Sequence, residues 1–526
     1  MNFEEIYSGA LAKATNELNA LDLSAAYSLG LSKTRDHLQG SHTVVTYPPL
    51  DSLIKVTNAN FVEELSFPKE INAYIHIPVC DYRCTFCHYL AVHTSQSQKT
   101  DLNGTSYLTA LKREMSQWGN ILREKESTIC SLYIGGGTPT ALPAIELENL
   151  LRHVHEVLPF SDSPKICIET SPKSFSSQKE NRLLKILEDN QVSRVSIGIQ
   201  SFHPKALKVA GRYYKTADIE ESALASLLNS YIDNVNIDMI QDLPLPLDVS
   251  HFEVLQHDLK KIMDLKPHHI TWYNMRLCPE STLNFTHYDD DGRSYYKLNN
   301  SRKLFYVPSQ KESILMRLSI WKFMEAIGYT VLEGDRFALG NEYEDKFRKA
   351  RGSVTAGLLG MGVSSYSHIQ KTFFRNIANA PPSFSEGGNF LSNSMDTIHH
   401  YIEMVEQNKL PIHSFQNISV CEMVAGLFSL GLKQGVDIGS IMSKYGFLEE
   451  CRGYLSYAMS LVNLMTAGGL LEEKCGIMQL TTLGRLFENE ICQKFYSPEV
   501  RYLGYVNRGI TPPTEIHNNY LHYAKN

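Results

Sequence analysis

The 526-residue chain has no apolar run long enough to cross a bilayer; its longest, Met423–Leu432, is closed off by Glu422 and Lys433. The start, Met1-Asn2-Phe3-Glu4-Glu5, lacks the basic residues and apolar core of a secretory signal. Both absences lead to the expectation of a cytoplasmic protein with no membrane partner. Basic residues are not in excess: 50 Lys and Arg stand against 57 Asp and Glu, a net charge of −7. That balance argues against nucleic acid as a partner, because such binders usually present a basic face. No internal repeat is evident. Cysteine is sparse, ten in all, and seven of these (Cys130, Cys167, Cys278, Cys421, Cys451, Cys475 and Cys492) are scattered. Scattered thiols read as small buried hydrophobes. A disulfide framework is not expected in a cytosolic chain of this size.

What is present is an ordinary globular balance, 43% hydrophobic and 20% charged, in a chain long enough for two or three domains. Residues 1–70 read as an irregular or weakly helical N-terminal extension, extended around Thr46-Tyr47-Pro48-Pro49-Leu50 because proline restricts itself and its predecessor. From residue 71 to 374, β-rich runs alternate with helical patterns. The strands expected are Ala73–Val79, Ser131–Gly135, Lys165–Glu169, Arg194–Gln200, Asn234–Ile240 and His269–Asn274. Helices are expected at Tyr107–Trp118, Ile145–Leu158, Asn181–Glu188, Ile219–Leu228, Phe252–Leu265 and Glu312–Ile327. Six βα units in succession give a parallel α/β sheet, either open or an incomplete (β/α)6 barrel, with function at the C-terminal strand ends. Residues 375–396, rich in Pro, Ser, Asn and Gly, read as a linker. Residues 397–526 read as a C-terminal helical, winged-helix-like domain, with a strand, a turn and a strand over Leu470–Leu483.

Polar residues gather where the sheet predicts a site. Cys80, Cys84 and Cys87 follow the first strand and Gly135-Gly136-Gly137-Thr138-Pro139-Thr140 the second. Glu169 ends the third, Gln200 ends the fourth and Asp238 lies late in the fifth. One such residue would be a satisfied core polar group; five on successive strands point to a site. The cysteines are spaced C-x3-C-x2-C, and thiolates bind iron–sulfur clusters and soft metals. Three thiolates on a four-iron cube leave one iron open to a small molecule. The rival is zinc held by Cys80, Cys84, Cys87 and His88. Zinc sites usually draw ligand pairs from separated segments, and adjacent Cys87 and His88 are poorly placed for tetrahedral closure.

The triplet, its place after Tyr74-Ile75-His76-Ile77-Pro78, and the Gly-Gly-Gly-Thr-Pro-Thr loop resemble the radical S-adenosylmethionine superfamily. Gly198-Ile199-Gln200-Ser201-Phe202, Asn236-Ile237-Asp238, Gly360-Met361-Gly362-Val363-Ser364 and Leu480-Thr481-Thr482-Leu483-Gly484-Arg485 extend the likeness to the oxygen-independent coproporphyrinogen III oxidase family over residues 45–500. The resemblance implies a [4Fe-4S] cluster on the three cysteines and a bound S-adenosylmethionine. It places Tyr74 at the carboxylate of that molecule and Gly136, Gly137 and Thr138 at its methionine part. Glu169, Gln200, Arg212 and Asp238 would meet its amino, ribose and carboxylate groups, and Phe86 joins this cofactor-binding set. An electron donor of flavodoxin or ferredoxin type and a small-molecule substrate are implied as partners.

The family pattern changes at several positions. Tyr89 stands where the coproporphyrinogen enzymes carry a further cysteine. The pair that helps them hold a second S-adenosylmethionine is Phe347-Arg348 here, an isoleucine beside Gly-Met-Gly is Tyr366, and a small alanine is Arg276. Tyr74, Arg276, Arg348 and Tyr366 are thereby the catalytic candidates. The changes turn the expectation towards methyl or methylene transfer to an sp2 carbon, using two S-adenosylmethionine molecules. Oxidative decarboxylation of coproporphyrinogen III is the alternative, and a haem-binding chaperone a further one.

Overall fold

The structure is a computed structural model. It describes residues 2–32, 46–55, 61–87, 89–94, 106–175, 180–212, 219–275, 283–298, 303–340, 352–378, 390–507 and 511–523. Helix α1 (Phe3–Ala20) opens the chain, where the sequence pattern predicts irregular or weakly helical structure. Asn2 caps it, its side chain accepting from Glu4 N at 3.2 Å. Its buried residues Phe3, Tyr7, Ala10, Ala14 and Leu18 recur at helical spacing. Tertiary packing of that stripe makes the helix: Phe3 meets Phe323 at 5.6 Å and Glu17 pairs with Lys322 at 2.8 Å.

The six expected strands and their helices are all present. They are β1 (Glu70–Ile77), α2 (Ser106–Glu124), β2 (Thr128–Gly136), α3 (Ala144–Val157), β3 (Phe160–Thr170), α4 (Glu180–Asp189), β4 (Val192–Gln200), α5 (Ile219–Leu228), β5 (Asn234–Gln241), α6 (His251–Leu265), β6 (His269–Asn274) and α7 (Gln310–Ala326). β1 to β6 pair in sequence order, each parallel to the next. The apolar positions of α3, Leu147, Leu150, Leu151 and Val154, are buried at the spacing read from the sequence. This is the expected α/β architecture, and among the described residues these strands form one continuous sheet.

Both edges extend beyond the expected six strands. Past β6 lie β7 (Tyr329–Glu333) and β8 (Arg336–Leu339), antiparallel. On the other side β9 (Leu358–Met361) runs parallel to β1, followed by antiparallel β10 (Tyr366–Ile369), β11 (Thr372–Asn376) and β12 (Ile412–Asn417). The stretch 375–396, read as a linker, therefore contains the end of β11 and the start of helix α8 (Phe390–Glu406); 379–389 lie outside the described residues. β12, which the sequence pattern assigns to the C-terminal domain, belongs to the main sheet. Strands of four to six residues carry too little period to be read in isolation. The remaining C-terminal residues form helices around the hairpin Leu471–Lys474 and Ile477–Leu480.

The N-terminal segment ties into this helical region. The Tyr47 hydroxyl donates to the Glu422 carboxylate and accepts from Ser497 N at 3.3 Å. Burial pushes the Glu422 carboxyl up to about 7. The folded state therefore holds this proton at pH values where the unfolded chain has released it. Between the ordinary carboxyl range and pH 7 the group makes stability fall as pH rises. Glu422→Gln is expected to flatten that fall and to raise the urea midpoint at pH 8, measured by circular dichroism.

Candidate active site

Successive strand residues point to opposite faces, so positions two apart share one. On each of β1 to β6 the inner positions near the C-terminal end are polar, and they bond to one another. The His76 ring lies with Nε2 3.1 Å from the Leu90 carbonyl and Nδ1 3.0 Å from the Tyr74 hydroxyl. A carbonyl only accepts, so Nε2 carries the proton and the Tyr74 hydroxyl donates to Nδ1. Burial, aided by the charge of Arg375, pushes His76 down to about 4 and keeps it neutral. Glu169 accepts from the Tyr133 hydroxyl at 2.8 Å and from Gly136 N at 3.0 Å. Asp238 accepts from Ser196 Oγ at 2.9 Å and Asn236 Nδ2 at 3.1 Å. Burial raises the Asp238 carboxyl, and these two donors oppose the rise.

The cysteine loop is fastened to the strand ends by backbone. Thr138 N donates to Val79 O at 2.6 Å and Gly137 N to Ile77 O at 2.9 Å. Thr85 N and Oγ1 donate to Ala210 O at 3.2 Å and Val209 O at 3.0 Å. The half-buried thiols face polar neighbours: Cys80 Sγ lies 3.3 Å from Thr138 Oγ1, and Arg212 Nε donates to Cys84 Sγ at 3.4 Å. The same guanidinium donates to Gly198 O and sits 4.8 Å over the Tyr82 ring. Burial pushes the Cys80 and Cys87 thiols up, Cys87 to about 12, and the neighbouring Cys84 sulfur adds to both shifts. Burial and the neighbouring sulfur thus both favour the neutral Cys80 and Cys87 thiols, and a positively charged metal group would be what holds them as thiolates.

The glycines here are required by close approach. A Cβ on Gly137 would fall 2.3 Å from Val79 O, and one on Gly136, whose φ is +114°, would fall 2.7 Å from the His76 ring. Gly137→Ala is expected to displace the Val79–Cys80 backbone and to lower iron bound per chain severalfold while leaving helix content unchanged. Iron analysis beside circular dichroism checks this. Among the described residues, no three His, Cys, Asp or Glu side chains are arranged to hold a single metal ion, and His88 lies outside them.

The structure sets Cys80 against Thr138 and Cys84 against Arg212, bonds Cys87 N to Cys84 O at 3.3 Å, and sets Gln200 beside Arg212 across Gly198. Tyr74, Gly136, Glu169 and Asp238 ring the same strand ends. Phe86 instead packs, half-buried, against the small apolar cluster of Ala206, Ala210 and Met275. Tyr366 starts β10 opposite Arg375, one strand removed from β1. Tyr89 is 57% exposed. Arg276, Phe347 and Arg348 lie outside the described residues. The sequence pattern assigned no role to His76, Tyr133, Ser196 and Asn236, which bond to Tyr74, Glu169 and Asp238. A signal is there: each stands at the two-residue strand spacing from another polar or glycine position on the same face.

Residues 74–240 match the model of the Radical SAM superfamily. The chain is 26% identical over 427 residues to the heme chaperone HemW of Bacillus subtilis, covering 81% of this chain and 98% of that one. It is 25% identical over 457 residues to the oxygen-independent coproporphyrinogen III oxidase of Helicobacter pylori, covering 83% and 91%. The solved coproporphyrinogen III oxidase HemN of Escherichia coli superposes with a TM-score of 0.65 at 21% identity, covering 88% of this chain and 98% of that one. At that identity the superposition speaks for the fold. Among the described residues, no helix is long and apolar enough to cross a membrane.

Proposed function

We propose, because residues 74–240 match the Radical SAM superfamily model, that the chain is a radical enzyme acting on a tetrapyrrole of haem metabolism. The observation that carries the radical part is the loop of Cys80, Cys84 and Cys87 after β1, with Cys80 against Thr138 and Cys84 against Arg212, beside a ring of polar strand ends. A [4Fe-4S] cluster on Cys80, Cys84 and Cys87 would supply the electron that cleaves S-adenosylmethionine to methionine and a 5′-deoxyadenosyl radical. The rest is the work of side chains. Arg212 offers a positive charge at the sulfurs and is positioned for a carboxylate. Glu169 and Asp238, already anchored by Tyr133, Ser196 and Asn236, offer acceptors to ammonium and ribose hydroxyl donors. Tyr74, oriented by neutral His76, presents its ring towards Tyr133, 6.2 Å away. Of the second-molecule candidates, Phe347 and Arg348 lie outside the described residues and Tyr366 stands on β10, so the proposal extends to one S-adenosylmethionine.

The tetrapyrrole part rests on the relatives that span nearly their full length here, whose names are a haem chaperone and a coproporphyrinogen oxidase. Methyl or methylene transfer, expected from the changed positions, has no support among these relatives, and the oxidative or haem-handling reading takes its place. The test is anaerobic reconstitution with iron and sulfide, reduction, and chromatography of the products. The expected result is 5′-deoxyadenosine whose yield rises when coproporphyrinogen III or haem is added. Conversion of the porphyrinogen would make the chain an oxidase; tight haem binding without turnover would make it a carrier. Absence of 5′-deoxyadenosine together with absence of binding to either tetrapyrrole sinks the proposal.

A further inference from the structure

Arg485 closes the motif Leu480-Thr481-Thr482-Leu483-Gly484-Arg485 of the C-terminal helical region. It lines a polar cleft between that region and the end of the main sheet. Tyr273 and Asn274 of β6, Arg317 of α7 and Asp335 of the β7–β8 turn line the cleft on the sheet side, and residues 485–490 on the other. Arg317 is fully buried, and its side chain donates only to neutral acceptors. Nη2 donates to Trp272 O and Asn274 Oδ1, both at 2.7 Å, and Nη1 to Gly334 O at 3.4 Å. No carboxylate pairs with it among the described residues. Burial works against its charge, and the more distant Asp335, Asp242 and Glu488 support it. A buried charge ordinarily sits against a counter-ion.

The acids of the cleft are already engaged. Glu488 accepts from Gly334 N at 3.2 Å and pairs with Lys433 at 3.4 Å. Asp335 stands 3.7 Å from Arg336, and Glu490 is engaged too. Arg485 is exposed, and its guanidinium has no hydrogen bond or ion pair among the described residues. It acts at longer range on Glu472, which Lys474 already holds at 2.6 Å.

Two guanidinium groups without a bonded anion on one cleft suit a carboxylate, whose oxygens match their donors. Tyr273 joins the cleft to the strand ends of the candidate active site. It lies two residues from Thr271, on the face where Thr271 Oγ1 donates to Asn236 Oδ1 at 3.2 Å and Asn236 donates to Asp238. Burial, and then the charge of Asp238, pushes the Tyr273 hydroxyl up. A molecule held in the cleft by one end therefore reaches past Tyr273 towards Asp238. Haem and coproporphyrinogen III both carry propionate side chains. We infer that the cleft is a substrate subsite, in which Arg317 and Arg485 hold a propionate carboxylate of the tetrapyrrole. The inference rests on the tetrapyrrole reading above.

The test uses the full chain, reconstituted anaerobically, with coproporphyrin III, the stable oxidised ring, and its methyl ester in the same dilute detergent. Two of the three tryptophans adjoin the cleft: Trp272 O receives Arg317, and Trp321 Nε1 donates to Gly334 O at 2.9 Å. Quenching of tryptophan emission therefore reads binding without turnover. The wild type should bind the acid on the order of tenfold or more tighter than the ester, as expected for a hydrogen bond to a charged group. Arg485→Gln should lose about tenfold for the acid and little for the ester. Arg485→Lys should keep part of the preference. Iron per chain and helix content should stay at the wild-type value in both variants. Equal binding of acid and ester by the wild type, or a full preference kept by Arg485→Gln, overturns the inference. So does a variant that binds the porphyrin normally but loses calorimetric affinity for S-adenosylmethionine, because the carboxylate in the cleft is then that of the cofactor. A wild-type protein that binds neither porphyrin removes the tetrapyrrole reading itself, and this subsite with it.

Discussion

Replacing Cys84 by alanine is expected to abolish cluster binding and to drop 5′-deoxyadenosine formation below detection. Cys84 is the sulfur that Arg212 Nε contacts at 3.4 Å, and its charge is felt by both Cys80 and Cys87. Two remaining thiols leave half of a four-iron cube without protein ligands, and no other described cysteine lies in the loop. The loss should exceed the roughly 10–100-fold that follows removal of an outer-shell partner. Arg212→Gln gives the comparison: it keeps all three thiols but removes the charge over Cys84 and the donor to Gly198 O. Its activity should fall within that 10–100-fold range while iron content stays near the wild type. Iron and sulfide per chain, visible absorbance and 5′-deoxyadenosine yield separate the two variants. A Cys84→Ala protein with wild-type yield would refute the assignment of the triplet.

The largest effect on stability is expected at Glu114, far in sequence from the cysteines. Its side chain is fully buried and accepts from Gly362 N at 2.8 Å, Asn376 Nδ2 at 2.7 Å and the Tyr401 hydroxyl at 2.5 Å. It thereby joins α2, the Gly-Met-Gly turn, β11 and α8. Tyr107, two turns earlier on the same helical face, donates to His76 O at 2.8 Å and accepts from Val363 N at 3.1 Å. Gly362, at φ +92°, lies so close to His76 O that an added Cβ would fall 2.7 Å from it. Glu114→Ala strands three buried donors and should cost about 3–5 kcal/mol, the range for breaking a buried charged network. Glu114→Gln should cost far less, about 1 kcal/mol. The new amide can face Asn376, whose Oδ1 has no partner and can turn to accept from it. Urea unfolding measures both; equal losses for the two variants would contradict the role given to these three donors.

Part of this architecture is legible in the chain itself. α1 marks a limit: its stripe of Phe3, Tyr7, Ala10, Ala14 and Leu18 is regular, but what that stripe packs against, α7, is not written in the stripe itself. The bonds of His76 to Tyr74 and of Tyr133 to Glu169 are partly legible, because same-face spacing on a strand is a local property. β9 is not: Leu358–Met361 is too short and glycine-bearing to carry a period, and its parallel pairing with β1 joins residues almost the length of the sheet apart in sequence.

By itself the sequence determined the cysteine triplet, because its ligands lie within eight consecutive residues, Cys80 to Cys87, and their spacing carries the chemistry. It determined the six-strand α/β sheet as well, because each strand and helix announces itself through the period of its own apolar residues. Only the tertiary structure decided what surrounds the sulfurs. Arg212 reaches Cys84 across 128 residues, and Gly362 reaches Glu114 across 248. Such contacts depend on how whole strands register and pack, a sum over many distant residues that no local pattern of the chain expresses.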